Sequence, residues 1–183
     1  AGEILVRVRA ASLNRIDLVA LRAPAGQVVG CEWAGDVVRA GDGVTAFQPG
    51  DRVMCTGAAG FADYAVTDAG RACAIPSDST AYEDAAVLPM ALQTMHNALV
   101  TNGGLAAGDS VLIHGASSGV GLMGLQIARL LGAGLVIGSS TSVARRARLK
   151  EFGADLAIDS ADPAWPRAVQ EATGGKGVDL AID

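Results

Sequence analysis

The sequence predicts an α/β protein in two parts, a β-rich domain followed by a doubly wound parallel sheet. Three observations support this: short strand-like runs in the first ninety residues, an alternation of strand, turn and helix after them, and a glycine-rich turn between a strand and a helix. Half of the 183 residues are apolar and 24 are glycine, which suits a close-packed chain and excludes a disordered one. The change of pattern places the boundary near residue 92, giving domains 1–92 and 93–183.

The first part consists of short β-type runs separated by Gly, Asp and Pro. Apolar and charged residues alternate over 4–10, the period-2 pattern of a half-buried strand. Further strands are predicted at 35–39, 51–55 and 64–67. Short strands at this spacing are typical of a small barrel or a distorted sandwich.

From residue 80 onward the pattern changes to helices and parallel strands. Thr80 and Glu83 are spaced as a capping box, before a helical stretch that Pro89 interrupts. The elements predicted next are strands at 111–113 and 135–137 and helices at 120–131 and 142–152. The segment Asp-Leu-Ala-Ile-Asp occurs at 155–159 and again at 179–183, which predicts two equivalent strands of one parallel sheet.

The composition excludes several classes of function. With 14 basic and 19 acidic residues the net charge is −5, which provides no general attraction to nucleic acid or to an anionic membrane. No apolar run approaches the ~20 residues of a membrane span. Cys31, Cys55 and Cys73 are too few and too far apart for a disulfide framework, so we expect a cytoplasmic protein. The start at Ala1 and a last strand with nothing after it suggest a chain trimmed at both ends.

The strongest local signal is the glycine turn, the segment 115–124 with the sequence GASSGVGLMG. Its three spaced glycines let the backbone turn tightly, approach a pyrophosphate and pack helix against strand, while the helix N-terminus supplies amide hydrogens. A tight turn without a ligand is the alternative, but the position between strand and helix favours a dinucleotide site. The cofactor-binding candidates here are Ser117, Ser118, Gly119, Val120 and Gly121.

The region after the second parallel strand favours NADPH over NADH. NAD sites usually place an acid about twenty residues after the glycine turn, and none occurs between Asp109 and Glu151. Basic residues instead crowd into the next predicted helix, where they oppose the macrodipole unless a phosphate lies between them. A solvated charged face is the alternative. The candidates for binding a 2′-phosphate are Ser139, Ser140, Ser142, Arg145 and Arg146.

The glycine turn by itself resembles that of the short-chain dehydrogenases. In that family the turn lies near the N-terminus, whereas here more than a hundred residues precede it. That family also requires a Tyr-x-x-x-Lys pair downstream, and no tyrosine follows Tyr82. We therefore set this family aside.

A second resemblance covers nearly the whole chain. Its motifs are, in order, Gly2-Glu3-Ile4-Leu5-Val6-Arg7-Val8, Asn14-x-x-Asp17, Gly30-x-Glu32-x-Ala34-Gly35, Gly50-Asp51-Arg52-Val53, Leu88-Pro89, Thr94-x-x-x-Ala98-Leu99 and the glycine turn. In order and spacing they resemble the medium-chain dehydrogenase/reductase superfamily, specifically its zinc-free quinone oxidoreductase branch, the ζ-crystallin-like proteins. The resemblance implies a chaperonin-10-like (GroES-like) β domain followed by a Rossmann domain, with the active site in the cleft between them.

The resemblance also bears on metal binding. Zinc alcohol dehydrogenases of this superfamily have a cysteine where this chain has Asn14 and a histidine where it has Cys31, and the close-set cysteines of their structural zinc loop are missing here. His96 and His114 are expected to be partly buried structural residues. Because zinc needs three or four converging ligands, we expect no metal.

The resemblance implies NADPH-dependent hydride transfer to a small-molecule quinone or α,β-unsaturated carbonyl. A conjugated acceptor needs little polarisation, which suits a site without a Lewis acid. By resemblance, Asn14 and Thr94 lie near the nicotinamide, and Asn14 hydrogen-bonds the substrate oxygen or the surroundings of the ring. Asp17 completes the catalytic candidates and is expected to brace the loop that carries Asn14. Glu32 and Asp36 are expected to be structural carboxylates.

Three alternatives stay open. The first is a non-catalytic NADPH-binding protein with a structural or regulatory role. The second is an enoyl-thioester reductase or an alcohol dehydrogenase-like enzyme of the same superfamily. The absence of tyrosine from 18–26 speaks against the enoyl-thioester reductase, because a tyrosine after the Asn-x-x-Asp motif is the proton donor implied for such enzymes. The third is an inactive fragment, whereas the full-length protein is expected to be a homodimer.

Overall fold

The computed structural model describes residues 1–20 and 26–183. The described chain divides into two compact units, Ala1–Met90 and Ala91–Asp183, a division close to the predicted boundary near residue 92. Most of the tyrosine-free stretch noted above, residues 21–25, lies outside the described residues. Within the described ranges no helix is long and apolar enough to cross a membrane.

The first unit is built around a five-stranded antiparallel sheet with the strand order β4-β1-β2-β3-β5. Its elements are β1 (Glu3–Ala11), α1 (Arg15–Ala20), β2 (Glu32–Ala40), β3 (Arg52–Thr56), β4 (Tyr64–Asp68), a 3₁₀ turn (Ala69–Arg71), β5 (Ala72–Ala74) and α2 (Tyr82–Ala86). The alternation predicted for the first strand is confirmed, because Ile4 and Val6 are fully buried. Both pack in a core with Trp33 and Val53, so the period-2 pattern directs one face of β1 inward.

The capping box predicted before the second helix is wrong. The N-cap of α2 is Ala81, and no side chain caps the helix. Thr80 lies one residue outside the cap, and its carbonyl oxygen accepts a hydrogen bond from Arg52 Nη2 at 2.7 Å. Thr80 and Glu83 therefore do not form a capping box, because α2 begins one residue later than their spacing requires.

The second unit contains a four-stranded parallel sheet with the order β8-β7-β6-β9. Its elements are β6 (Ser110–Ile113), α4 (Gly119–Leu130), β7 (Leu135–Ser139), α5 (Val143–Ala147), a 3₁₀ turn (Leu149–Phe152), β8 (Leu156–Ile158), α6 (Trp165–Ala172) and β9 (Leu180–Ile182). Before them come α3 (Pro89–His96), which spans the division between the units, and a π-helix (Asn97–Asn102). The repeated segment forms β8 and β9, so the prediction of two strands in one parallel sheet is confirmed.

The helix predicted at 142–152 is divided in two. α5 ends at Ala147, and the 3₁₀ turn that follows ends at Gly153, which has a φ of +105°. α5 has five residues, so Arg145 and Arg146 lie in its last turn but also close to the N-cap Ser142. In so short a helix the first and last turns overlap, and the expectation that these cations oppose a helix dipole stays a prediction.

The parallel sheet brings the polar candidates of the second unit to one edge. The glycine turn follows β6, Ser139 and Ser140 lie at the end of β7, and Asp159 follows β8. Since the carboxyl ends of parallel strands share an edge, residues far apart in sequence meet there.

Candidate functional site

The glycine turn presents backbone donors at the N-terminus of α4. Ser118 is the N-cap, and its Oγ accepts a hydrogen bond from the Gly121 N–H at 3.0 Å. Within the described part of the chain, the N–H groups of Gly119 and Val120 have no acceptor. These groups and the positive end of a 12-residue helix are available to an anionic ligand.

The three glycines of the turn have different reasons to lack a side chain. A Cβ on Gly121 would lie 2.6 Å from Ala116 Cα and from Gly115 O, so the backbone of the turn itself excludes it. A Cβ on Gly124 would lie 2.2 Å from Met95 Cε, where α4 packs against α3. A Cβ on Gly119 would meet no atom within 4 Å. The open space beside Gly119 therefore leaves room for the close approach of a ligand.

Ser139 supports the turn from behind. Its Oγ lies 3.0 Å from His114 Nδ1 and accepts from the Gly115 N–H at 3.3 Å. The His114 ring packs edge-on against Trp165 with centroids 5.0 Å apart. Because Ser139 is fully buried, its hydroxyl ties β7 to the turn and is not open to a ligand. The structure thus gives this predicted cofactor-binding residue a supporting position.

Two further predicted serines do come together at the turn. Ser117 Oγ and Ser140 Oγ are 2.9 Å apart and share a hydrogen bond. Ser140 Oγ also accepts from the Ser142 N–H at 3.3 Å. Ser142 caps α5, since its Oγ accepts from the Arg145 N–H at 3.4 Å. Ser140, predicted to meet a 2′-phosphate, therefore lies beside Ser117 of the glycine turn.

The two predicted arginines differ in their surroundings. Arg146 donates to the Ser140 carbonyl oxygen at 2.8 Å and forms an ion pair of 2.9 Å with Asp159. The Arg145 side chain is exposed and has no partner within residues 1–20 and 26–183. Sequence reasoning missed Asp159, although the repeated segment ends in this acid. Arg146 organises the end of β7, whereas Arg145 presents an uncompensated positive charge.

In the first unit, Asn14 and Asp17 bracket the start of α1. The Asp17 Oδ2 accepts from the Asn14 N–H at 2.7 Å, and the Asp17 N–H donates to the Asn14 carbonyl oxygen at 3.0 Å. Asp17 is buried. Its carboxylate is occupied by the loop, which agrees with a bracing role.

Glu32, at the start of β2, is the most highly connected buried carboxylate of the site. Its Oε1 accepts from Asn14 Nδ2 at 2.7 Å and from the Ser12 hydroxyl, and its Oε2 accepts from the Met90 N–H at 2.9 Å. Only 3% of the residue is exposed. Three donors compensate the burial of its charge, which would otherwise be unfavourable. Glu32 is thus a structural carboxylate, as expected, but it also belongs to the Asn14 site, which sequence reasoning missed.

Cys31 lies next to this network, where its thiol is held in the protonated form. Burial and the nearby Asp17 and Glu32 carboxylates raise the pKa of the Cys31 thiol. A cavity of about 180 Å³ adjoins it, lined by Ile16, Asp17, Gln27, Val28, Val29, Gly30, Cys31, Gly57, Ala58 and Ala59. A thiol with a raised pKa is a poor nucleophile, so this cavity offers apolar surface rather than covalent chemistry.

Asp36, further along β2, has a different environment. Arg9 Nε donates to its Oδ2 at 2.7 Å and the Tyr82 hydroxyl donates to its Oδ1. Burial acts to raise the pKa of Asp36, but the hydrogen bonds from Tyr82 and Arg9 outweigh it and lower the pKa. The Arg52 guanidinium lies 4.4 Å from the centre of the Tyr82 ring. Asp36 therefore has the structural role expected from the sequence.

Of the three catalytic candidates, the structure brings Asn14 and Asp17 together. Thr94 lies on α3 in the second unit, and its exposed side chain has no partner among the residues described. His96 is also exposed, so it differs from the expected partly buried residue, whereas His114 is half-buried. No group of three or more His, Cys, Asp or Glu side chains able to hold a metal ion occurs within 1–20 and 26–183.

Comparison with known protein families covers most of the chain. Residues 1–91 match the alcohol dehydrogenase GroES-like domain, and residues 119–183 match the zinc-binding dehydrogenase family. With these two domains in this order, the chain belongs to the medium-chain dehydrogenase/reductase superfamily. The predicted fold, a GroES-like domain followed by a Rossmann-type parallel sheet, is confirmed.

Among sequence relatives, the chain is 40% identical over 187 residues to the erythronolide synthase EryA2 of Saccharopolyspora erythraea, covering all of this chain but 5% of the synthase. The crystal structure of CurK enoyl reductase shares 27% identity with a TM-score of 0.87, over 100% of this chain and 59% of that one.

Two further solved structures are similar along the whole chain. A quinone oxidoreductase of Pseudomonas syringae pv. Tomato DC3000 is 31% identical with a TM-score of 0.85, and the match covers 57% of it. A mycobacterial protein complexed with NADPH is 32% identical with a TM-score of 0.86, and the match covers 58% of it. The chain therefore spans more than half of these solved relatives but a small fraction of the synthase.

Proposed function

We propose that this chain is part of an NADPH-dependent enoyl reductase that acts on an α,β-unsaturated thioester. The observation that supports this most is the 40% identity to an erythronolide synthase along the whole chain, together with the similarity to an enoyl reductase structure. An enoyl thioester is one of the α,β-unsaturated carbonyls that the sequence resemblance implied. The proposal thus narrows the predicted substrate class, a quinone or an α,β-unsaturated carbonyl, to an α,β-unsaturated thioester.

The glycine turn fits the pyrophosphate of such a cofactor. The open space beside Gly119 and the two unpaired N–H groups would receive its oxygens at the end of α4. When bound, NADPH supplies a hydride to the β-carbon of the enoyl group, and a proton added at the α-carbon completes the saturated thioester. The chain itself holds the cofactor, excludes water and orients the two reacting carbons.

We propose that Asn14 of the first unit contacts the cofactor or substrate and that Asp17 holds the Asn14 loop; for Thr94 of the second unit we propose a position near the nicotinamide. The Asn14 position is supported by the buried carboxylates around it, which fix its side chain and backbone. No metal takes part in this proposal, because conjugate addition of a hydride needs little polarisation of the carbonyl. Activity that falls on treatment with a chelator would contradict this part of the proposal.

The preference for NADPH over NADH is proposed to depend on Arg145. Its guanidinium is exposed and has no partner in the described parts of the chain, and its backbone N–H donates to the Ser142 hydroxyl, while Arg146 is neutralised by Asp159. Replacement Arg145→Ala in the full-length protein should weaken NADPH binding about tenfold, the loss of a charge-assisted contact, and leave NADH binding unchanged. Arg148→Ala is the matched control, because Arg148 is paired with Glu151 at 3.0 Å. Equal affinities for NADPH and NADH in the unsubstituted protein would contradict the preference.

The activity is tested by following NADPH oxidation by the full-length protein with a crotonyl thioester and, separately, with a quinone. We expect turnover with the thioester. The similarity to the Pseudomonas quinone oxidoreductase supports a second candidate, a quinone reductase, which faster turnover with the quinone would favour. Tight NADPH binding without turnover of either compound would instead favour a non-catalytic NADPH-binding protein.

A further inference from the structure

The orientation of the Asn14 side-chain amide is determined by Glu32. The Asn14 nitrogen Nδ2 lies 2.7 Å from Glu32 Oε1 and 3.1 Å from Ser12 Oγ. A carboxylate can only accept hydrogen bonds. The NH₂ group of the amide must therefore face Glu32, because the opposite orientation would place two acceptor oxygens against each other.

The oxygen of the same amide remains available. Asn14 is half-buried, and its amide NH₂ group also interacts as a donor with the Cys31 thiol, which acts to lower the pKa of that thiol. No donor to Asn14 Oδ1 occurs in the described parts of the chain. Within those parts, Trp33 Nε1 is the one buried side-chain nitrogen or oxygen without a partner, so Asn14 Oδ1 is accessible from outside. Asn14 consequently offers a ligand an acceptor, while both donors of its amide are used internally.

This polarity separates the two ligands of the proposed reaction. An enoyl thioester and a quinone present carbonyl oxygens, which accept hydrogen bonds. The nicotinamide half of the reduced cofactor presents donors as well as acceptors, and its carboxamide NH₂ group can only donate. An outward-facing amide oxygen can pair with the cofactor but not with the substrate carbonyl.

We propose that Glu32 is a positioning residue that fixes Asn14 as a hydrogen-bond acceptor for the nicotinamide half of the reduced dinucleotide. The inference rests on the proposed function and makes it more specific. It selects one of the two roles expected for Asn14, the contact with the surroundings of the ring, and excludes donation to the substrate oxygen. Stabilisation of the substrate oxygen then falls to a group other than the Asn14 amide.

The replacement Glu32→Gln inverts this polarity without leaving a buried group unpaired. The Met90 N–H requires an acceptor, so the oxygen of the new amide takes the place of Oε2. Its NH₂ group then takes the place of Oε1 and faces Ser12 and Asn14. Asn14 must turn its own oxygen toward position 32, which directs its NH₂ group outward.

The double replacement E32Q/N14D restores the original polarity. It moves the carboxylate from position 32 to position 14 and keeps the total charge unchanged. One oxygen of the new carboxylate accepts from the amide at position 32, and the other offers an acceptor to the ligand. Comparison of E32Q with E32Q/N14D therefore separates the effect of hydrogen-bond polarity on cofactor binding from the effect of packing.

The experiment measures the Kd for NADPH by fluorescence titration, the KM for the thioester and the melting temperature, all in the full-length protein. We expect N14A and E32Q each to raise the Kd about tenfold, the loss of one hydrogen bond, with the thioester KM unchanged. The E32Q melting temperature should stay near that of the unsubstituted protein. E32Q/N14D should restore most of the affinity.

Asp36→Asn is the matched control, because Asp36 is the other carboxylate of β2 with side-chain donors. It should lower the melting temperature and leave the Kd for NADPH unchanged, the reverse of E32Q. Two results would overturn the inference: an unchanged Kd for NADPH in N14A together with a raised thioester KM, or an unchanged Kd for NADPH in E32Q. In either case NADPH binding and thioester turnover by the unsubstituted protein would still support the proposed function. Failure of the unsubstituted protein to bind NADPH would overturn both.

Discussion

The two units differ in the polar groups that they bury. Ala1–Met90 buries two carboxylates, Asp17 and Glu32, in addition to hydroxyl side chains, and Glu32 accepts from three donors and Asp17 from one. Ala91–Asp183 buries neutral hydroxyls, Ser139 and Ser140. A carboxylate accepts only, so it dictates the orientation of every group it touches, whereas a hydroxyl can donate or accept. The first unit is therefore suited to holding one side chain in one orientation, and the second to shaping a backbone turn whose N–H groups stay open.

Removing the Glu32 carboxylate should have the largest effect on stability. Glu32→Ala leaves the Ser12 hydroxyl, the Asn14 amide and the Met90 N–H without their acceptor. We expect the free energy of unfolding to fall by about 3 kcal/mol, measured by denaturant titration. Glu32→Gln keeps each of these groups hydrogen-bonded and should lower the free energy of unfolding by less than about 1 kcal/mol. Equal losses for the two variants would show that the charge, and not the hydrogen-bond pattern, stabilises this unit.

In the second unit the largest effect should be steric. Gly121→Ala places a Cβ 2.6 Å from two backbone atoms of the turn and should lower the free energy of unfolding by about 1–3 kcal/mol. Gly119→Ala is the control, since its Cβ meets nothing within 4 Å. It should change stability by about 0.5 kcal/mol or less, and an equal loss in both variants would contradict the steric explanation.

Removing a buried hydroxyl should cost less than removing the carboxylate. Ser139→Ala takes an acceptor from the Gly115 N–H and a partner from His114. We expect a loss of about 1 kcal/mol in the free energy of unfolding, measured in the same titration. Thr141→Ala, at an exposed position two residues further along the chain, should leave the free energy of unfolding unchanged. If S139A lowered the free energy of unfolding as much as E32A, buried hydroxyls and buried carboxylates would not differ in their contribution to stability.

The smallest effect is a pH dependence in the first unit. The pKa of Asp36 is lowered in the folded protein, so its contribution to stability is present above the ordinary carboxyl pKa of 3.8 and is lost as the pH falls through the lowered value. The difference in unfolding free energy between D36N and the unsubstituted protein should therefore shrink below about pH 4.

Tyr82→Phe provides the check on this pH dependence. It removes one of the donors that lower the pKa of Asp36, so the pH-dependent loss of stability should be smaller and should be complete at a higher pH. A difference between D36N and the unsubstituted protein that is constant down to the lowest pH measured would contradict the assigned pKa direction.

Much of the fold could be predicted because its signals are local. The alternation around Ile4 and Val6, the glycine turn and the repeated Asp-Leu-Ala-Ile-Asp segment each occupy a few consecutive residues. Helix limits were less predictable, because α2 starts at Tyr82 without a side-chain cap and α5 ends at Ala147. The short helices α1 and α6 were not predicted, although the residues of α6 are strongly amphipathic and a proline lies in its first turn.

The candidate site was predicted in part. The serines and arginines around the turn were found from their order in the chain, but the sequence could not show that Asp159 neutralises Arg146 while Arg145 stays unpaired. The enoyl reductase alternative was disfavoured because a tyrosine is missing, whereas the relatives now support it. One absent side chain was a weaker guide than similarity along the whole chain.

The sequence by itself determined the two-part α/β organisation and the glycine turn, since each follows from short-range patterns of residue type, and the superfamily, which follows from the order of motifs along the chain. Only the tertiary structure decided the chemistry of Asn14, because its partner Glu32 lies 18 residues away and the Met90 N–H that completes the network is 58 residues beyond Glu32. A hydrogen-bond pattern of this kind depends on which groups meet in space. Their polarity then decides whether Asn14 donates or accepts, and that cannot be read from any one segment of the chain.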